Sequence, residues 1–243
     1  MSNLAIVPTY NEKENIVAMI DAVMALDGYD ILVVDDGSPD GTAALVKDQQ
    51  VKYGSDRVHL LERSGKLGLG SAYIAGFKYG LEHDYDYLYE MDADFSHDPK
   101  DLLRLRAACD AGADMTVGSR YTKGGGFVDW PRDRIFISKG GSLYVRTLTF
   151  MPIKDPTAGF ICYSAKVLRA IDLDKVGLKG YAFQIEMKYV AYKLGFKIKE
   201  VPIIFKDREL GTSKMNTSII KEAISGVIKL RCRNIKKYYS STK

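Results

Sequence analysis

Short, almost wholly apolar runs recur through the first half of the chain, and each gives way to a segment with helical spacing. Leu4-Ala5-Ile6-Val7-Pro8 is the first, Tyr29 to Val34 the second and Val58-His59-Leu60-Leu61 the third; Tyr85 to Met91, where bulky residues alternate, and the more polar Asp114 to Arg120 follow as further strand-like runs. A run with no polar alternation is what a strand covered on both faces requires. Between the runs, apolar positions such as Ile16, Val17, Ile20, Val23 and Met24 recur at the helical period. Helices are predicted to about Leu26 and over 42–53, 70–82 and from Asp98 onward. The order β-α-β-α-β-α-β-α-β predicts an α/β fold, a Rossmann-like, mostly parallel sheet with helices on both faces. With 243 residues, 46% hydrophobic and 27% charged, the chain can bury the core such a sheet needs.

Local end signals accompany these elements. Asn11 with Glu14 has capping-box spacing. Asp98 is placed to cap a helix with Pro99 in its first turn, and Ser164 to cap a short one over 165–170. After Arg120 the pattern changes. Gly124-Gly125-Gly126 predicts a mobile loop, a helix is expected over 133–149 and another from Ala182 to Leu194. Phe196 to Ile204 reads as a strand, which Pro202 pushes towards an edge.

In a sheet of this kind ligands bind beyond the carboxyl ends of the strands. The residues found there are chemically distinctive. The second run ends in Asp35-Asp36-Gly37-Ser38-Pro39-Asp40-Gly41-Thr42, and the fourth in Asp92-Ala93-Asp94. Oxygen-only ligands suit a hard divalent ion such as Mg²⁺ or Mn²⁺, which in turn suits phosphates. Each acidic stretch also reads as a solvated or capped turn, and Asp35 in particular as a turn cap. The fifth run ends in Arg120. Arg63 to Ser71 is glycine-rich but lacks the Gly-Lys-Ser/Thr ending of a Walker A loop, and no Gly-x-Gly-x-x-Gly follows the first run. Nicotinamide and flavin chemistry are thereby disfavoured. His59, His83 and His97, like Cys109, Cys162 and Cys232, show no ligand spacing, which argues against zinc and against a disulfide framework.

The net charge of +4 is unevenly spread: residues 214–243 carry +7 and the rest −3. A helix predicted over about 215–238 has an apolar stripe at Ile219, Ile220, Ala223, Ile224, Val227 and Ile228 and a basic polar side. It divides the chain into a domain of residues 1–214 and a C-terminal basic amphipathic helix and tail, 215–243. The stripe either packs on its own domain or lies on a membrane surface. No apolar run approaches the roughly 18 residues of a membrane span, and no signal-peptide pattern opens the chain. A cytoplasmic protein, peripheral to the cytoplasmic face of a membrane, is expected. Nucleic-acid binding would rest on tail charge alone and is not expected.

Several stretches together resemble the polyprenol (dolichyl) phosphate mannosyltransferases, inverting GT-A enzymes of glycosyltransferase family 2. They are Val7 to Glu12, Val33 to Thr42, Gly65 to Gly70, Met91 to His97, Gly118 to Tyr121, Asp155 to Phe160, Phe183 to Met187, and Arg208-x-x-Gly211-x-Ser213-Lys214. The resemblance implies transfer of mannose from GDP-mannose to polyprenyl phosphate, giving polyprenyl phosphate mannose and GDP. Another nucleotide sugar or acceptor, and a non-catalytic nucleotide-sugar-binding subunit of a membrane complex, are the alternatives. By the same resemblance Pro8, Tyr10, Glu12 and Asp36 hold the nucleotide. Val34 belongs with the substrate-binding set, as does Lys66, which meets either nucleotide or the neighbouring helix. Asp92, Ala93 and Asp94 touch nucleoside, diphosphate and metal, with Asp92 and Asp94 the metal ligands. Arg120, Arg134, Arg208 and Lys214 surround donor and lipid phosphates. Asp94, Arg120 and Arg208 are expected to carry the reaction, while Asp155 and Glu186 are expected to orient loops. A membrane surface or small membrane-anchoring subunits would bring the enzyme to its lipid, through residues 124–150 or the basic helix.

Overall fold

The computed structural model describes residues 1–178, 180–207 and 217–241. Strand β1 (Asn3–Thr9) leads through α1 (Ile16–Met24) to β2 (Tyr29–Asp35), and α2 (Thr42–Tyr53) leads to β3 (Val58–Glu62). After α3 (Leu69–Glu82) come β4 (Tyr87–Glu90), α4 (Asp101–Asp110) and β5 (Met115–Ser119). These five strands overlie the five strand-like runs. The sheet has the order β3-β2-β1-β4-β7-β5-β8, where β7 is Ile161–Ser164 and β8 is Ile198–Pro202. All paired strands are parallel except β7, which runs antiparallel to both β4 and β5. Pro202 lies, as expected, on an edge strand.

Strand alternation explains the unbroken apolar runs. Leu4, Ile6, Leu32 and Val34 face one core with Tyr73 and Phe77 of α3. Ala5, Val7, Ile31 and Val33 face the other with Ile16, Met19 and Ile20 of α1. None of these eight strand residues is accessible to solvent, and each large one contributes roughly 1.5–3 kcal/mol by leaving water. Gly76 lets α3 settle directly onto β1: a Cβ there would come within 2.5 Å of Ile6.

The second half departs further from the sequence reading. Residues 126–128 form a short strand, β6 (Gly126–Val128), paired in parallel with β9 (Ile204–Lys206). The single strand expected over 196–204 is thus two, split after Pro202. Helix α5 (Arg132–Thr149) follows β6, α6 (Ala165–Arg169) follows β7, and α7 (Gly180–Lys193) precedes β8. The long C-terminal helix is also divided, into α8 (Thr217–Cys232) and α9 (Ile235–Tyr239), with the Asn234 side chain capping the second by accepting from Lys237 N–H. Val227, Leu230, Ile235 and Tyr239 are buried in the main core, so one face of this segment packs internally.

Three caps differ from expectation. Asn11 sits at φ 58°, and α1 starts instead after Asn15, whose amide donates to Glu12. Asp98 closes a tight turn on Lys100 N–H, and Lys100 rather than Asp98 occupies the position before α4. The Ser164 hydroxyl donates to the Asp114 carbonyl rather than accepting from α6. The Asp98 and Ser164 side chains each found a competing backbone partner outside the helix, as such residues readily do.

Candidate active site

The chain runs from β1 to β2 and β3 on one side and returns to place β4 on the other. The crevice between the ends of β1 and β4 is therefore the switch point of the sheet. A cleft of about 450 Å³ opens there. It is bordered by Pro8, Tyr10, Glu12, Asp36 and Lys66 on one side, and by Asp92, Ala93 and Asp94 beyond β4. Arg120 and Arg134 line the same cleft. Ten of the residues singled out in the sequence thus converge. Val34 does not: its side chain is sealed in the core, because strand alternation turns it from the edge into the face covered by α3. Arg208 and Lys214 lie outside the described residues.

The first wall is a pair of interlocked loops. Asp35 is the turn cap: it accepts from Thr9 Oγ1 at 2.8 Å, Ser38 N at 2.8 Å and Ser38 Oγ at 2.6 Å. The Asn11 and Glu12 amides donate to Ser38 Oγ and Thr42 Oγ1. Asp36 is bound by Arg63, whose Nε donates to it at 2.6 Å while Nη1 reaches Ser71. Arg63 carried no expected role. Its position beside Asp36 follows from the pairing of β2 with β3, which puts Asp35 opposite Glu62. Lys66 Nζ lies 4.8 Å from the centre of the Tyr10 ring, a cation–π distance.

Beyond β4 the backbone turns sharply, with Phe95 at φ 57°. Asp94 is buried and its Oδ1 accepts from Ser96 N–H at 3.1 Å. Asp92 is half-buried. Below them Glu90 is fully buried and accepts from Tyr163 Oη at 2.8 Å. Lys188 of α7, equally buried, donates to the Ala158 carbonyl at 2.5 Å and the Gln184 carbonyl at 3.2 Å. Burial raises the Glu90 carboxyl and lowers the Lys188 ammonium, while their opposite charges restrain both shifts.

The basic wall is organised by Asp155, which is wholly inaccessible. Arg120 Nε donates to one Asp155 oxygen and Nη2 to the other, both at 2.7 Å, and Nη2 also reaches Thr157 Oγ1 at 3.0 Å. The rings of Tyr121, Phe127, Trp130 and Phe205 lie 5.5–5.9 Å from the guanidinium. The pairing of β6 with β9 brings Phe127 beside Phe205. Arg134 is held in turn by Asp207 at 2.9 Å and stacks 3.9 Å from Trp130. Asp155 and Glu186 do orient loops: Glu186 accepts from the Gly177 and Leu178 amides.

His97 closes the floor, stacked 4.8 Å from Phe160 and edge-on to Phe205. Burial holds its imidazole down at about 4 against an ordinary value of 6.5, with the nearby Asp94 charge opposing. The unfolded chain takes up that proton near pH 6.5 and the folded chain resists it until about 4. The contribution is therefore present above 6.5 and lost as pH falls through 4. Urea midpoints at pH 7 and pH 4.5 should show His97→Phe losing less stability on acidification than the wild type, by up to about 3 kcal/mol. Equal losses in the two proteins would refute this.

Among the described residues no group of three or more His, Cys, Asp or Glu gathers as a metal cluster. Asp92 and Asp94 nonetheless offer the donor set Mg²⁺ or Mn²⁺ uses with substrates: one or two carboxylates, the remaining positions left to water and phosphate oxygens.

An α/β sheet with an acidic wall and a basic wall at its switch point has the layout of the GT-A glycosyltransferases. The description "Glycosyl transferase family 2" matches residues 4–177, and the chain belongs to that family; it is a glycosyltransferase. It is 50% identical over 222 residues to polyprenol monophosphomannose synthase of Mycolicibacterium smegmatis, covering 91% of this chain and 83% of that one. It is 48% identical over 228 residues to undecaprenyl-phosphate mannosyltransferase of Micrococcus luteus, covering 93% of each. Among solved structures, glucosyl-3-phosphoglycerate synthase from Mycobacterium tuberculosis, in complex with Mn²⁺, UDP-glucose and phosphoglyceric acid, shares the fold. The TM-score is 0.70 at 16% identity, over 95% of this chain and 79% of that one.

Proposed function

We propose that the protein transfers mannose from GDP-mannose to polyprenyl phosphate, with inversion, releasing GDP. The carrying observation is the polarity of the cleft: carboxylates at the ends of β2 and β4 face guanidinium groups beyond β5 and in α5. The names of the two relatives near 50% identity support the choice of donor and acceptor.

In this reading Pro8, Tyr10, Glu12 and Asp36 hold the guanosine, and Lys66 meets the diphosphate or closes over Tyr10. Asp92 and Asp94 would hold a divalent ion, whose charge offsets that of the departing diphosphate. Arg120 and Arg134, with Arg208 and Lys214 from outside the described residues, draw the acceptor phosphate into the cleft. A phosphate monoester is already ionised near neutral pH, so its oxygen attacks the anomeric carbon without a general base. The C–O bond to the diphosphate breaks on the opposite face, and the electron pair leaves with GDP. Arg120 suits this task because its planar fork is fixed before substrate arrives, so no orientation is lost on binding.

Residues 1–214 carry the chemistry in this proposal, and residues 215–243 form a basic segment serving location. No described helix is long and apolar enough to cross a membrane. Helix α5 starts at the cleft and turns Phe136, Ile137 and Leu143 outward, each more than 60% exposed. That face supports peripheral attachment to a cytoplasmic membrane face, directly or through small membrane-anchoring subunits.

The test is a transfer assay with GDP-mannose and UDP-glucose as donors and polyprenyl phosphate as acceptor, with Mg²⁺, Mn²⁺ or EDTA. Mannosyl transfer from GDP-mannose that EDTA abolishes is expected. Transfer from UDP-glucose instead would reassign the donor, and no transfer to the lipid from either would overturn the reading.

A further inference from the structure

A second groove, of about 660 Å³, lies away from the cleft between α7 and the elbow joining α8 to α9. Lys193, Arg231, Arg233 and Lys236 border it together with Tyr189 and Tyr192, and none of the described residues lining it is acidic. Residues 225–241 carry five Lys or Arg and no Asp or Glu. The elbow is braced: Arg233 Nη1 donates to Tyr239 Oη at 2.8 Å, and Tyr239 donates onward to the buried Glu186. Lys193, Arg231 and Lys236 are exposed. The partners of these cations are neutral, Tyr189 for Arg231 and Lys193 and Tyr239 for Arg233, so a fixed elbow with no acidic residue among the described residues of its wall leaves their charge for an external anion.

Its surroundings specify the anion's carrier. The Arg231 guanidinium lies 5.6 Å from the ring of Phe150, which is 70% exposed at the end of α5, and Ile228 beside it is 51% exposed. From Phe150 the outward apolar face of α5 runs back through Leu143 and Phe136 to the turn that bears Arg134, at the cleft. Arg132, Lys139 and Arg146 are exposed on the same helix at intervals of seven residues. Apolar side chains interleaved with cations along 18 residues, about 27 Å of helix, suit a phospholipid surface: the apolar groups enter the acyl boundary while the cations meet phosphates. A protein partner would call for a compact apolar centre with the charges at its rim.

We propose that the α7–α8–α9 groove binds the phosphate headgroups of anionic phospholipid, and that with the α5 face it seats the protein on an anionic bilayer, the cleft mouth at the surface. The inference rests on the reading above only for its purpose, since a lipid-borne acceptor must be met at that surface.

Flotation of the full chain with vesicles tests it. Wild-type protein should bind phosphatidylcholine vesicles containing phosphatidylglycerol, lose that binding as salt rises, and bind phosphatidylcholine alone weakly. The triple variant Lys193→Ala, Arg231→Ala, Lys236→Ala should partition about 100-fold less onto the anionic vesicles, each basic residue contributing about fivefold. Its thermal midpoint, and its turnover with a water-soluble short-chain acceptor, should match the wild type. Unchanged partition of the triple variant would overturn the proposal. So would equal wild-type binding to the two vesicle types, or no binding to either, the last leaving an acidic protein as the occupant to seek. Absence of turnover with the soluble acceptor would count against the reaction and not against the groove.

Discussion

Asp94→Asn should reduce transfer at least about 1,000-fold while leaving the fold intact. The substitution is nearly isosteric, and the new amide oxygen can still accept from Ser96 N–H, the bond that Asp94 makes at 3.1 Å. The turn at Phe95 therefore keeps its support. What disappears is a buried negative charge at the point where a divalent ion and a diphosphate would meet. Removing one group that stabilises developing charge costs roughly 100- to 1,000-fold, and losing a metal ligand should reach the upper end. Asp92→Asn, at a half-buried position, should cost less. Steady-state rates at saturating donor, with manganese titrated into each variant, check both points. Turnover of the Asp94 variant within tenfold of wild type would remove Asp94 from the chemistry, and unchanged manganese dependence would remove it from the metal.

Asp155→Ala should act on stability and rate together. Its carboxylate receives the Nε–Nη2 edge of the Arg120 guanidinium, and neither side chain is more than 9% exposed. Deleting the acid leaves an uncompensated buried cation, a change that costs roughly 3–5 kcal/mol. The same loss frees Arg120 to leave the position from which it would meet a phosphate, so transfer should fall at least about 100-fold. The double variant Arg120→Met, Asp155→Leu separates the two effects. Replacing a buried pair by apolar groups is often close to neutral for folding, so the urea midpoint should recover most of its loss. Activity should not recover, because no fork remains for the anion. A double variant as active as wild type would refute a phosphate-binding role for Arg120.

The parts of this molecule legible in the sequence are those set by local pattern. Continuous apolar runs marked strands β1 to β3, and the periodicity of α2 gave its limits as 42–53, those of the structure. The acidic and basic strand ends were legible because polar residues at the ends of buried strands have few other places to go. What escaped depended on partners distant in sequence. Asp155 and Arg120 are 35 positions apart and meet only because β7 enters the sheet between β4 and β5. The Arg63–Asp36 pair needs the β2–β3 register. The break between α8 and α9 contains neither proline nor glycine; its one local mark is Asn234, which also occurs inside helices. The inward direction of the Val34 side chain is not legible either, because adjacent strand residues differ in chemistry less than in direction.

That insertion of β7 has a metric consequence. Strands β4 and β5, which point the same way and bear Asp94 and Arg120 beyond their ends, are two hydrogen-bonding steps apart, about 9.5 Å across the sheet. The separation belongs to the backbone ladder, and no side-chain replacement on either wall can shorten it. In the proposed reaction the sheet would act as a ruler between the residue at the leaving diphosphate and the residue at the acceptor phosphate. Substitutions in this cleft would then change which groups are held, while the spacing of the two strand ends stays fixed by strand count.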